Sequence, residues 1–109
     1  RANLQSAKLV GANLQRADLQ KSNLKLANFT SANLQSADLY RADMEAANLK
    51  EADLQNAHLE GANLYRANLE GTNLKDANLD IADLSQIKNF TEEQIQSAQN
   101  WERARRDIQ

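Results

Sequence analysis

From Ala2 to Leu84 one apolar side chain returns every fifth residue: Leu4, Leu9, Leu14, Leu19, Leu24, Phe29, Leu34, Leu39, Met44, Leu49, Leu54, Leu59, Leu64, Leu69, Leu74, Leu79 and Leu84. Two positions before each stands Ala, replaced only by Ser22 and Thr72. Between the two sits Asn or Asp, except at Lys8 and His58. The chain is therefore seventeen copies of A-(N/D)-L-x-x, and a repeat this regular constrains the architecture before any other feature is read.

A period of five suits neither common element. In an α-helix five residues advance about 500°, so successive leucines would step round the axis by roughly 140° and form no stripe. In a straight strand an odd period sends them to opposite faces. A chain that bends once per repeat keeps them together. Ala and Leu then point inward, Asn or Asp points outward between them, and the next two residues turn the corner. Stacked turns of such a chain pair their backbones at about 4.8 Å and bury Leu over Leu and Ala over Ala. The small slot avoids overfilling the interior. The Asn/Asp slot suits a side chain that caps local backbone groups. Gly11, Gly61 and Gly71 share one corner position and read as turn residues.

This pattern resembles the pentapeptide-repeat family, whose consensus is A-(D/N)-L-x-x; the helical end that follows it looks most like the cyanobacterial members. The resemblance covers residues 1–85 and implies an all-β solenoid: a right-handed quadrilateral β-helix with four repeats per coil. Seventeen repeats then give just over four coils and a rod roughly 20 Å long.

Thirteen basic and fifteen acidic residues, mixed along the chain, give a net charge of −2. That balance argues against a nucleic-acid footprint or an anionic membrane surface. Cysteine is absent, so disulfide and thiol chemistry are excluded, and no apolar run approaches the length of a bilayer span. The sequence starts at Arg1 inside the first repeat. A cytoplasmic location fits, as does periplasm or thylakoid lumen if a leader before Arg1 has been removed.

After Leu84 the period breaks, and residues 86–109 read as a C-terminal capping helix running from about Glu92 to Arg106. Thr91 is the expected N-cap, with Gln94 completing a capping box and Phe90 and Ile95 forming a hydrophobic staple. Glu92 and Glu93 in the first turn, with Arg103, Arg105 and Arg106 near the last, would complement the helix dipole. Ile95, Ala98, Trp101 and Ile108 share one face and would cover the last coil, whose free edge otherwise invites association. No comparable cap precedes Leu4, so the expected monomer has one open end through which it could associate.

No enzyme signature emerges, and neither a cofactor nor a metal is implied. His58, the only histidine, should stack in one column with Asp18, Asp38 and Asn78, too few nitrogen or sulfur ligands for a metal site. At a spacing of twenty, outward positions stack as a glutamine ladder of Gln15, Gln35 and Gln55, and as charge pairs Lys25–Glu45 and Lys50–Glu70. Val10, Leu26, Tyr40, Tyr65 and Ile81 are exposed apolar candidates. Leu26, Ala46 and Tyr65 come close enough on one side to form an interaction patch.

The reading that follows is a non-catalytic structural or protein-interaction module with an unidentified protein partner. The alternative comes from the resemblance: some pentapeptide-repeat proteins mimic duplex DNA and act on DNA gyrase. Those rods are long, acidic and dimeric, whereas this chain is short and nearly neutral. Ice or carbohydrate binding would want aligned Thr ladders, and Thr30, Thr72 and Thr91 do not align.

Overall fold

A computed structural model describes residues 1–107. Each Asn/Asp-slot residue pairs in parallel with the one twenty positions later: Asn3 with Asn23, then Asp43, Asn63 and Asp83 on one side of the molecule. Lys8 heads the second side, Asn13 the third and Asp18 the fourth. One coil thus takes twenty residues and has four sides, named here sides 1 to 4 in that order. The protein extends 33 × 21 × 19 Å, longer than the expected 20 Å; the chain keeps winding after its sequence repeat ends, which adds one coil of about 4.8 Å.

Three hydrogen bonds per repeat tie one coil to its neighbours. On side 1 the Asn23 N–H donates to the Ala2 carbonyl at 2.9 Å, Leu4 N–H to Asn23 at 2.8 Å, and Ser6 N–H to Lys25 at 2.8 Å. A fourth closes each corner, as where Ala7 N–H donates to the Leu4 carbonyl at 2.9 Å. The third residue of each such turn has positive φ, as a type II turn requires. Glycine supplies it only at Gly11, Gly61 and Gly71; elsewhere Arg, Lys, Leu and even Ile81 (φ 54°) adopt it. Left-handed backbone costs a non-glycine residue about 1–2 kcal/mol. It persists here because it aims the corner N–H along the stack, where the next coil accepts it.

The interior is the two inward columns. Phe29 and Met44 occupy leucine slots and, like Leu24 and Leu34 through Leu69, are fully buried. Leu4, Leu9 and Leu14, in the first layer, are only partly covered. The two polar intruders in the small slot are satisfied: Ser22 Oγ accepts from Ala2 N–H at 3.0 Å, and Thr72 Oγ1 donates to the Leu49 carbonyl at 2.7 Å.

The end of the chain differs from the long capping helix expected. Helix α1 spans only Glu92–Gln96, followed by a 3-10 turn at Trp101–Arg103. The predicted N-terminus is present, with Thr91 and Gln94 forming the reciprocal capping box. However, no basic residue falls in the last turn of α1, so the arginines do not serve its dipole. Instead the chain rejoins the stack. Lys88 pairs with Asn68 on side 2, Gln99 with Asn78 on side 4, and Arg105 with Asp83 on side 1. Residues 83–105 are therefore another coil in which α1 replaces side 3.

The Gln94 side-chain amide joins α1 to the coil beneath, donating to the Leu69 and Thr72 carbonyls at 2.7 and 2.6 Å. Ile95 is fully buried, Ala98 nearly so, and Trp101, Phe90 and Ala104 pack against the core. Ile108 lies outside the described residues.

Candidate interaction surface

The outward side chains pair diagonally as well as vertically. Each Asn/Asp-slot Oδ1 first accepts its own corner's backbone N–H two residues on, as Asp53 does from Gln55 at 3.1 Å. A vertical bond can add to the same oxygen: Asn73 Nδ2 donates to Asp53 Oδ1 at 3.1 Å and Asn63 Nδ2 to Asp43 Oδ1 at 3.2 Å. An aspartate then has Oδ2 left over. Gln35 Nε2 donates to Asp53 Oδ2 at 2.6 Å, Gln20 Nε2 to Asp38 Oδ2 at 2.5 Å, and Lys25 Nζ lies 3.6 Å from Asp43 Oδ2. All three partners are eighteen residues apart.

Three expected vertical pairings are not formed, and the diagonal accounts for those of Gln35 and Lys25. Among the described residues, Gln15, Gln35 and Gln55 do not bond to one another, Lys25 pairs with Asp43 rather than Glu45, and Lys50 forms no ion pair with Glu70. The physical reason is reach. A side chain at the first corner position leans across to the free carboxylate oxygen of the neighbouring column, which carries full charge and no hydrogen.

Side 4 places His58 in column with Asp38 and Asn78, as expected. Its Nδ1 lies 3.8 Å from Glu60 Oε2, and the ring is more than half exposed. Arg103 Nε, from the terminal coil, sits 2.7 Å from Asp80 Oδ1. Among the described residues no group of three or more His, Asp or Glu side chains is placed to hold a metal ion.

The corner between sides 1 and 2 is different in shape. Leu26, Ala46 and Arg66 stand one above another in the left-handed corner column. Ala46 is the short member, and the notch it leaves opens into a cleft of about 470 Å³. Leu26 and Ala46 supply its apolar side chains, while Lys25, Arg66 and Lys88 line it with Glu45 as the single carboxylate. Leu26 is 57% exposed, and Arg66 and Lys88 are exposed as well. Tyr65, expected in this patch and expected exposed, is half-buried and stands beside the cleft rather than in it. Val10, Tyr40 and Ile81 are exposed at other corners and sides.

The repeat geometry agrees with what sequence comparison finds. The family described as pentapeptide repeats matches in eight copies over residues 1–26, 7–45 and 47–86. The chain belongs to the pentapeptide-repeat family. Among solved structures it is similar to a pentapeptide repeat protein from Nostoc PCC 7120, with 35% identity and a TM-score of 0.81, over 96% of this chain and 84% of that one. A pentapeptide repeat protein of the Arabidopsis thaliana thylakoid lumen is 34% identical over 86% of this chain and 72% of its own, with a TM-score of 0.55. One from the cyanobacterium Cyanothece 51142 is 36% identical over 83% and 60%, with a TM-score of 0.51. These neighbours are right-handed quadrilateral β-helices. No curated protein matches significantly.

Proposed function

We propose that this chain is a non-catalytic protein-interaction module: a right-handed quadrilateral β-helix over residues 1–85, closed by the modified coil that follows. Its binding surface is the corner bearing Leu26 and Ala46, with Tyr65 at its margin. The observation that carries this reading is the exposure of Leu26, 57%, beside the notch left by Ala46. An exposed leucine alone is ordinary surface; one that borders a notch is a candidate anchor site. The mixed charge of the four sides does not favour a DNA mimic, which needs a regular row of negative charge.

Affinity capture with the immobilised chain tests the reading. A partner held by the wild type should be lost with Leu26→Asn combined with Tyr65→Ser, and kept with Val10→Asn. Asparagine tolerates the left-handed corner at position 26, so the fold is retained. Equal capture by all three proteins would place the binding surface elsewhere.

A further inference from the structure

The cleft between sides 1 and 2 has a chemistry of its own. Its charged members are three cations, Lys25, Arg66 and Lys88, against one carboxylate, Glu45, on a chain whose net charge is −2. Lys25 is engaged by Asp43 at 3.6 Å, an exposed contact of small value. Among the described residues neither Arg66 nor Lys88 has an acidic side chain within ion-pair distance. Lys88 also breaks the repeat, standing where Asn28, Asn48 and Asn68 occupy the same column. Asn48 and Asn68 use Oδ1 to accept the Lys50 and Glu70 backbone N–H groups, so their amide NH2 groups add donors along the same wall. Leu26 and Ala46 add apolar side chains to the same lining. A ligand that fits must carry negative charge and an apolar group within a few ångströms of each other.

We propose that this cleft binds an acidic peptide segment of a partner protein, with a carboxylate between Arg66 and Lys88 and an apolar side chain on Leu26 and Ala46. This rests on the interaction-module reading and names its partner's chemistry. Arg66 supplies a planar fork that matches a carboxylate in two places, and Lys88 supplies a mobile point charge. The carboxylates steer the segment to the cations of the cleft, and the apolar contact holds it there.

The probe is a labelled octapeptide alternating Asp and Leu, followed by fluorescence anisotropy on the whole chain. Two control peptides alternate Asn with Leu and Asp with Ser. The Asp/Leu peptide should bind saturably and weaken with salt, and each control should bind about tenfold more weakly or worse. Arg66→Asn with Lys88→Asn should weaken it by about tenfold, as should Leu26→Asn. All three substitutions are compatible with the fold, since asparagine accepts the corner conformation at 26 and 66 and restores the repeat's own residue at 88. Trp101 fluorescence and melting confirm folding in each.

Absent binding, unchanged affinity in the variants, or equal affinity for the Asp/Ser peptide would each overturn the proposal. If the octapeptide fails while affinity capture still depends on Leu26 and Tyr65, the interaction module stands and the acidic chemistry falls.

Discussion

Gln35 Nε2 donates to Asp53 Oδ2 at 2.6 Å, across a separation of eighteen residues and from one coil to the next. Because Asp53 Oδ1 is already used by Gln55 N–H and Asn73 Nδ2, the aspartate accepts here through Oδ2, whereas Asn23 makes the same diagonal as a donor, Nδ2 to Gln5 Oε1 at 3.1 Å. Gln35→Glu should therefore set two carboxylates face to face and destabilise by roughly 0.5–1 kcal/mol. The same change in an Asp53→Asn background should be nearly neutral, since the asparagine amide donates to the new carboxylate. A double-mutant cycle by urea unfolding measures the difference; additive effects would mean the diagonal carries no energy.

The inward columns were fully legible in the sequence, because a strict period of five puts every leucine in one environment. Leu54 is fully buried in the middle of its column. Leu54→Ala should cost about 3 kcal/mol through lost burial and a cavity. Leu54→Asp should abolish cooperative melting, because it buries a charge with no partner. A normal melt of Leu54→Asp would contradict the column.

What the sequence hid depends on offsets that are not twenty. Ala98 and Ala104 hold the small slots of the terminal coil, but Gln99 and Arg105 pair with Asn78 and Asp83 at separations of twenty-one and twenty-two. A strict period rejects them, and the capping box before Ile95 invites a long helix instead. The diagonal side-chain bonds were hidden for a related reason: stacking by twenty predicts vertical neighbours, whereas a long side chain reaches the adjacent column. In the interaction patch, exposure of Leu26 was legible from its corner position. The cleft was not, because it arises from Ala46 standing between two larger side chains and from Lys88, whose side lies round the corner.

The left-handed corners supply a stabilising substitution. Ile81 is β-branched, sits at φ 54° and is 57% exposed, so it bears the conformational cost with little packing in return. Ile81→Asn should raise stability by about 1 kcal/mol. A lower melting temperature would show that Ile81 packs usefully over Gly61, near which its Cδ1 lies.

Arg106 ties the last described residues back to α1. Its guanidinium bonds both oxygens of Glu92, at 3.2 and 2.5 Å, and lies 5.7 Å from the centre of the Phe90 ring. The hydrogen bond to Arg106 holds the Glu92 carboxyl below its ordinary value of about 4.5. A lowered carboxylate pKa contributes stability above the ordinary value and loses it as pH falls through the folded one. The terminal coil should therefore loosen in acid below about pH 4.5, read by the fluorescence of Trp101, the single tryptophan. Glu92→Gln should remove that component of the transition. An unchanged acid profile in the variant would show that the pair does not secure the coil.

The central claim is that one corner of the rod, and not the rod as a whole, meets a partner. One coil offers four equivalent corner positions for a photo-crosslinking residue: 26, 31, 36 and 41, all with positive φ. Crosslinking in whole-cell extract should give a discrete, saturable adduct from position 26 and none from the other three. Equal adducts from all four positions, or a discrete adduct from another corner alone, would contradict the account.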